Sequence, residues 1–370
     1  MRLVVDANMA GVEAAFAGWG EVVRRPGRTL APDDVASADA LFVRSVTRVN
    51  ADLLAGSRVR FVGSATIGTD HVDTAWLREQ GIGFAHAPGC NADAVADWVV
   101  ASLAALDASG RHTLGSGSVG IIGVGNVGTR VVRRLTALGY TVQACDPPRA
   151  EQEGEAGFVD LATTLTSDVV SVHVPLTTAG RHATHHLLDT AGLARIPAGG
   201  ILLNAARGGV VDEEALATRL DDGPDLHAVI DTWADEPEIA VDLLARVTLG
   251  SPHIAGYSLE GRLRGTAAVA RAAAAFFGRA CTWDWRQDLP AAPPAVRSGP
   301  LADAILNAYD PRSDDRALRD IARLAPADRG AAFDALRRDY PMRREFAAWP
   351  CPPARDDLAA AGFGVGLDVC

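Results

Sequence analysis

"SVGIIGVGNVGTRVVRRLTALGYTVQACDPPRA", residues 118–150, decides the fold. A β-branched apolar run leads into GVGNVG, a helical pattern follows, and a second apolar run ends at Asp146. Strand, glycine-rich turn, helix and strand within about 30 residues make one βαβ unit. The glycines stand at GxGxxG spacing. Gly123 serves the tight turn, Gly125 the close approach of backbone to a pyrophosphate, and Gly128 the packing of helix on strand. Amides opening the next helix would face the phosphates with the positive end of the helix dipole. A lone glycine pattern is weak, but here a carboxylate follows about 20 residues on, where it can bind the adenosine ribose hydroxyls. A 2′-phosphate would meet like charge at Asp146, which favours NAD over NADP. Arg149 is the one residue that argues the other way.

Working outward, "DVVSVHVP" (168–175), "GGILLNAA" (199–206), "LHAVID" (226–231) and "VTLGSPH" (247–253) read as further buried strands. "RLVVD" (2–6), "ADALFVRS" (38–45) and "VRFVGSA" (59–65) read the same way nearer the N-terminus. Near-continuous apolar runs of this kind suit parallel sheets covered on both faces. Helical patterns follow Asn8 and fill 70–81 and 91–107, the last with Asn91 as its expected N-cap. The expected fold class is α/β, with two doubly wound parallel-sheet domains, Rossmann-like and flavodoxin-like. The proline-rich stretch 286–300 reads as a linker, and mostly helical patterns follow it.

Composition narrows the function. A formal net charge of −11 argues against nucleic acid, which needs a basic face. No apolar run reaches the length of a membrane span and the N-terminus lacks a signal-peptide core, so a cytoplasmic protein with no membrane partner is expected. Cys90, Cys145, Cys281, Cys351 and Cys370 form no CxxC pair and no metal-ligand spacing, so no metal is expected. All 35 basic residues are arginine. The absence of lysine excludes P-loop, Schiff-base and kinase-type lysine chemistry.

Three charged residues fall on loops after strands of the glycine-loop sheet, where open α/β sheets place their sites. Arg207 stands in "NAARGG", before a helix that Asp212 can begin; Glu236 stands in "DTWADEP" and His253 in "SPHIAG". Oxidising a 2-hydroxy acid needs a base for the hydroxyl proton, and histidine titrates near working pH. A carboxylate bonded to it fixes the tautomer, and an arginine can hold the substrate carboxylate and polarise the developing carbonyl. Asp231 is placed to accept from a nicotinamide carboxamide. Taken singly, Arg207 reads equally as a helix-end ion pair, Glu236 as a solvated loop charge and His253 as a packed core histidine. Their joint placement favours the catalytic reading.

Together with "LFVRSVTRVN", "VGSATIGTDHVD", "APGCNADAV", "CDPPRA", "GYSLEGR" and "FDALRRDYPMRREF", these motifs identify the chain as resembling the D-isomer-specific 2-hydroxy acid dehydrogenases along essentially its whole length. The resemblance implies NAD-dependent oxidation of a small phosphorylated hydroxy acid. It makes Arg207, Glu236 and His253 catalytic, with His253 the acid/base. Cofactor contacts carry over to Asn126, Val127, Asp146, Val174, Ala205, Ala206, Arg207, Asp231 and Gly256, and substrate contacts to Ser45, Thr66 and Tyr257. Substrate phosphate is expected at "RSVTR", through Arg44 beside Ser45, with Tyr257 and Arg262 assisting and Arg48 left solvated. Ala206 stands where relatives often carry cysteine or serine, and Arg262 where lysine is usual. The implied domains are a substrate-binding lid (1–92, completed by 257–285), an NAD-binding domain (93–256) and a small α+β C-terminal domain (286–370) that forms a homodimer. The rival readings are a dehydrogenase for another phosphorylated acid, such as 3-phosphoglycerate, and a non-catalytic NAD-sensing protein.

Overall fold

The computed structural model describes residues 1–223, 225–297 and 299–364. The chain folds as two compact units. Among the described residues the first comprises 1–91 and 257–291, and the second 92–256 and 292–364.

The first unit is built on five parallel strands, β1 (Arg2–Asp6), β2 (Glu21–Arg25), β3 (Ala40–Val43), β4 (Phe61–Ser64) and β5 (Gly83–His86), in the order β2-β1-β3-β4-β5. β3 and β4 are buried throughout because their residues are apolar or small. The Leu259–Phe277 helix completes the unit, capped by Ser258, whose hydroxyl accepts from Gly261 N at 2.9 Å. Its Val269, Ala270, Ala273 and Ala274 share a core with Phe16, Phe42 and Phe61. A Cβ on Gly265 would lie 2.6 Å from the Ala65 carbonyl, so only glycine lets this helix approach the end of β4.

The second unit carries β6 (Ser118–Ile122), β7 (Thr141–Cys145), β8 (Val169–Val172), β9 (Ile201–Asn204), β10 (His227–Ile230) and β11 (Leu249–Gly250), all parallel, in the order β11-β10-β9-β8-β6-β7. Strand order reverses between β6 and β8 here, and between β1 and β3 in the first unit. Such switch points open a crevice at the carboxyl ends of the strands. The doubly wound expectation holds for both sheets.

β2 and β5 were not among the expected strands. β2 is "EVVRR" and β5 is "GFAH", and neither has a fully buried residue. Edge strands need no continuous apolar run, so they leave a weak pattern. The Ala92–Ala108 helix begins directly after Asn91, whose Oδ1 nevertheless makes no hydrogen bond. This helix is buried on every side, because the Leu301–Ala308 and Pro311–Ile321 helices pack against it. Asp97 is buried within it and binds Arg134, and its Oδ2 accepts from Phe346 N at 3.0 Å.

The chain after residue 292 is helical, with Leu301–Ala308, Pro311–Ile321, Pro326–Arg338 and Asp356–Ala361, and no strand among the described residues. The β component expected there is therefore not found among them. Leu318, Ile321 and Phe333 join Trp233, Leu243 and Leu244 in the main core of the second unit. Cys90 and Cys145 are buried, Cys281 and Cys351 half-buried, and none of the four is in a disulfide; Cys370 lies outside the described residues. Among the described residues no helix is long and apolar enough to cross a membrane, and no group of side chains could hold a metal.

Candidate active site

The glycine loop leaves β6 at Gly123, whose φ of 86° is one that L side chains rarely adopt. A Cβ there would stand 2.7 Å from Val174 Cγ1, and one on Gly128 would stand 2.0 Å from the Gly123 carbonyl. Gly125 caps the Asn126–Ala137 helix and faces open space. Two glycines thus serve packing, and the third leaves bare backbone in front of a helix start. That is a cradle a dinucleotide's phosphates fit.

Asp146 closes the crevice. Its Oδ2 accepts from Val124 N at 2.8 Å, and its Oδ1 caps the Pro147–Glu153 helix through Arg149 N at 3.1 Å. Arg149 itself is committed. It binds Glu153 at 2.8 and 2.7 Å, donates to the Val124 carbonyl at 2.5 Å and lies over the Phe158 ring. The cation that argued for NADP therefore already has a carboxylate partner.

His253 and Glu236 meet as the sequence reading required. Nδ1 of His253 lies 2.8 Å from Glu236 Oε2 and 3.0 Å from Oε1, and Trp233 N donates to Oε1 at 3.0 Å. Burial pushes the Glu236 carboxyl up. The His253 charge and hydrogen bond, Arg337 and the Trp233 amide outweigh burial and hold it below the usual range. An ionised Glu236 at Nδ1 places the proton there and leaves Nε2 as the basic nitrogen. His253 has φ 55°, a left-handed conformation that costs of the order of 1–3 kcal/mol for such a residue. Asp231 holds it in place. Its carbonyl accepts from His253 N at 2.8 Å, and its carboxylate accepts from Ile254 N, Ala255 N and Ser251 Oγ at 2.8, 3.0 and 2.6 Å. Burial pushes Asp231 above the usual carboxylate range, against the His253 charge and these hydrogen bonds.

Arg207 follows β9, half-buried, with Nη1 donating to the Ala206 carbonyl at 2.8 Å. A Cβ on Gly208 would sit 1.8 Å from the Trp233 carbonyl, so the Arg207 and Glu236 loops touch through their backbones. Ala206 N donates to Asn204 Oδ1 at 3.1 Å, which ties the loop to the end of its strand. Asp212 begins the next helix as expected, accepting from Glu214 N and Ala215 N.

In the first unit a cationic cluster forms at the switch point. Arg44, after β3, donates to Asp6 Oδ1 at 3.1 Å and to the Tyr257 hydroxyl at 3.4 Å. Arg262 donates to the Asn8 carbonyl at 2.8 Å. Burial and the Arg44 charge push Arg262 down, while Tyr257 and Asp6 pull it up. Two guanidinium groups sharing one carboxylate leave excess positive charge, which suits an anion. Thr66 follows β4 and bonds Ser64 Oγ at 2.8 Å, and Ser45 is exposed in the turn beside Arg44. Arg48 is exposed too. The sequence reading did not identify Asp6, Asn8, the Trp233 amide or Arg337. Asp6 had a usable signal, a carboxylate at the carboxyl end of a buried strand.

A family model described as "D-isomer specific 2-hydroxyacid dehydrogenase, NAD binding domain" matches residues 94–255, and a second, a domain of unknown function (DUF3410), matches 294–358. A solved structure from Thermus thermophilus aligns at TM-score 0.65 with 29% identity, covering 76% of this chain and 99% of that one. The NAD+-bound 3-phosphoglycerate dehydrogenase of Entamoeba histolytica aligns at TM-score 0.65 over 75% of this chain and 95% of that one; at 22% identity it supports the fold alone. Residues 94–255, the strand-bearing part of the second unit, thus match the NAD-binding domain of the D-isomer-specific 2-hydroxyacid dehydrogenases.

Among curated relatives, the erythronate-4-phosphate dehydrogenase of Marinobacter nauticus is 48% identical over 93% of both chains. That of Salinibacter ruber is 46% identical, covering 100% of this chain and 99% of the relative. The chain belongs to the erythronate-4-phosphate dehydrogenase family.

Proposed function

We propose that the chain oxidises 4-phospho-D-erythronate at C2 with NAD, giving (R)-3-hydroxy-2-oxo-4-phosphooxybutanoate for pyridoxal 5′-phosphate (vitamin B6) biosynthesis. The observation that carries this reading is the buried Glu236 carboxylate on His253 Nδ1, on loops of the sheet that bears the glycine cradle. Bound NAD supplies the hydride acceptor. His253 Nε2 takes the C2 hydroxyl proton as the C2–H electron pair leaves, and Glu236 stabilises the resulting imidazolium. Arg207 holds the substrate carboxylate and polarises the forming C2 carbonyl. Arg44, with Ser45, Thr66, Tyr257 and Arg262, binds the phosphate. Asn126, Val127, Val174, Ala205, Ala206, Asp231 and Gly256 join the glycine loop and Asp146 in holding the cofactor.

A substrate panel tests the reading by cofactor reduction. Charged hydrogen bonds to the phosphate should make kcat/KM for 4-phospho-D-erythronate about 100-fold higher than for D-erythronate. Preference for 3-phospho-D-glycerate would move the assignment to that acid, and bound NAD with no turnover on any acid would favour a sensing protein.

Asp146→Ser keeps an oxygen able to cap the following helix but removes the charge. NAD should bind about tenfold more weakly and discrimination against NADP should fall. Unaltered protein that used NADP better than NAD would refute the role of Asp146.

The chain after about residue 286 is proposed to form a homodimer in the cytoplasm. Met342 and Leu324, 66% and 41% exposed, give this segment apolar surface. Sedimentation of the full chain at micromolar concentration should show a dimer; a monomer would reject the proposal.

A further inference from the structure

The segment after residue 292 approaches the loops that carry Glu236 and His253 at three points within the second unit. The Pro326–Arg338 helix packs so closely that a Cβ on Gly330 would collide with the Glu238 carboxylate. Two turns on, Arg337 is buried with its guanidinium over the Phe333 ring and its Nη1 3.7 Å from Glu236 Oε2. Beyond the helix, the buried Arg343 lies over the Tyr309 ring and donates to the carbonyls of Ala255 and Ala94. None of these contacts is made within the 94–255 region that defines the NAD-binding domain.

We infer that Arg337 is a positioning residue for the reaction, which from outside the NAD-binding domain holds Glu236 ionised and aimed at His253 Nδ1. This rests on the reading of Glu236 and His253 as the acid–base pair.

The charged groups facing Glu236 are few. His253 approaches from the loop after β11, Arg337 from the C-terminal segment, and Glu213 from the start of the Glu213–Asp221 helix; Asp235 and Glu238 flank it on its own loop. Arg337 is the cation there whose charge does not depend on pH, since guanidinium stays protonated throughout the working range. Burial is what opposes a charge on Glu236. Burial pushes Glu213 itself up to about 7, against a hydrogen bond from Ala234 N, with repulsion from Asp235 and Glu236 adding to the rise. Glu236 nevertheless stays below the usual carboxylate range, and Arg337 is one of the groups that lower it. Removing the guanidinium favours protonation of Glu236, so the acidic limb of the oxidation profile should move to higher pH.

The test compares R337M, R337K and E236Q in the full chain, by kcat, KM, NAD binding and pH profile. R337M should lower kcat about tenfold, the range of coupling within one charged network, with KM and NAD affinity within about twofold and the acidic limb displaced upward. R337K retains the charge and should keep the limb in place. In the E236Q background, R337M should add less than about a twofold loss, because the group it acts on is gone. Glu213 is raised by burial as well, so the limb shift should persist when measured in E213Q.

Wild-type kcat and profile in folded R337M, an undiminished effect in E236Q, or a shift lost in E213Q would each overturn the inference. Should R337M fail to fold, R337K decides, because a displaced limb with the charge retained contradicts the role. Wild-type turnover in H253N or E236Q would instead refute the acid–base pair itself.

Discussion

His253→Asn is expected to lower kcat for oxidation by about 100-fold or more, the usual loss when a positioned general base is removed. Asparagine can hydrogen-bond Glu236, so the loop need not collapse, but it cannot accept the C2 hydroxyl proton at working pH. The left-handed backbone at residue 253 also tolerates asparagine better than most residues. NAD binding should survive, since the glycine cradle and Asp146 lie on β6 and β7 while His253 follows β11. A variant that kept near-full turnover would return His253 to a packing role, with Glu236 only its structural partner.

Phe333→Ala is expected to cost about 3–5 kcal/mol of stability. Phe333 is fully buried and packs in the same core as Trp233, Leu243 and Leu244, which lie around the Glu236 loop. A domain's whole stability is about 5–15 kcal/mol, so the expected loss is a large part of it. Ending the chain near residue 285 removes Leu318 and Ile321 as well and uncovers the Ala92–Ala108 helix. Such a chain should lose its cooperative unfolding transition rather than persist as a folded monomer. Thermal unfolding followed by tryptophan fluorescence checks both; a truncated chain melting near the full-length temperature would show that the second unit does not need these helices.

The readable parts of the molecule were local ones. The turn at Gly123, the opening at Gly125 and the carboxylate at the end of β7 depend on residues within one βαβ unit, and their spacing alone placed them. Arg207, Glu236 and His253 were readable because each follows a buried strand of one parallel sheet, and parallel strands bring their carboxyl ends together. The rest depended on pairings between distant residues. Asp6 and Arg44 are 38 positions apart, and nothing in "VVDAN" or "FVRSV" indicates that they bond. Asp97 sits in the middle of an alanine-rich helix, where its charge looks solvated. It is buried because Arg134 and the Phe346 amide reach it from elsewhere in the chain. Leu318, Ile321 and Phe333 show helical spacing that suggests a small C-terminal domain of mostly helices, too short for a robust core of its own. Which surface they cover is absent from that spacing, and it is the core they share with Trp233, Leu243 and Leu244 of the second unit. β2 and β5, at the edges of their sheet, carried charge or glycine where central strands carry apolar runs.

The most direct measurement of the central claim follows the hydrogen on C2. The protein is incubated with NAD and 4-phospho-D-erythronate deuterated at C2, and the reduced cofactor is analysed by mass spectrometry. One deuterium per reduced nicotinamide, formed together with the 2-oxo acid, is the result predicted. Reduced cofactor without the label, or label retained at C2 while NAD remains bound and unreduced, would contradict it.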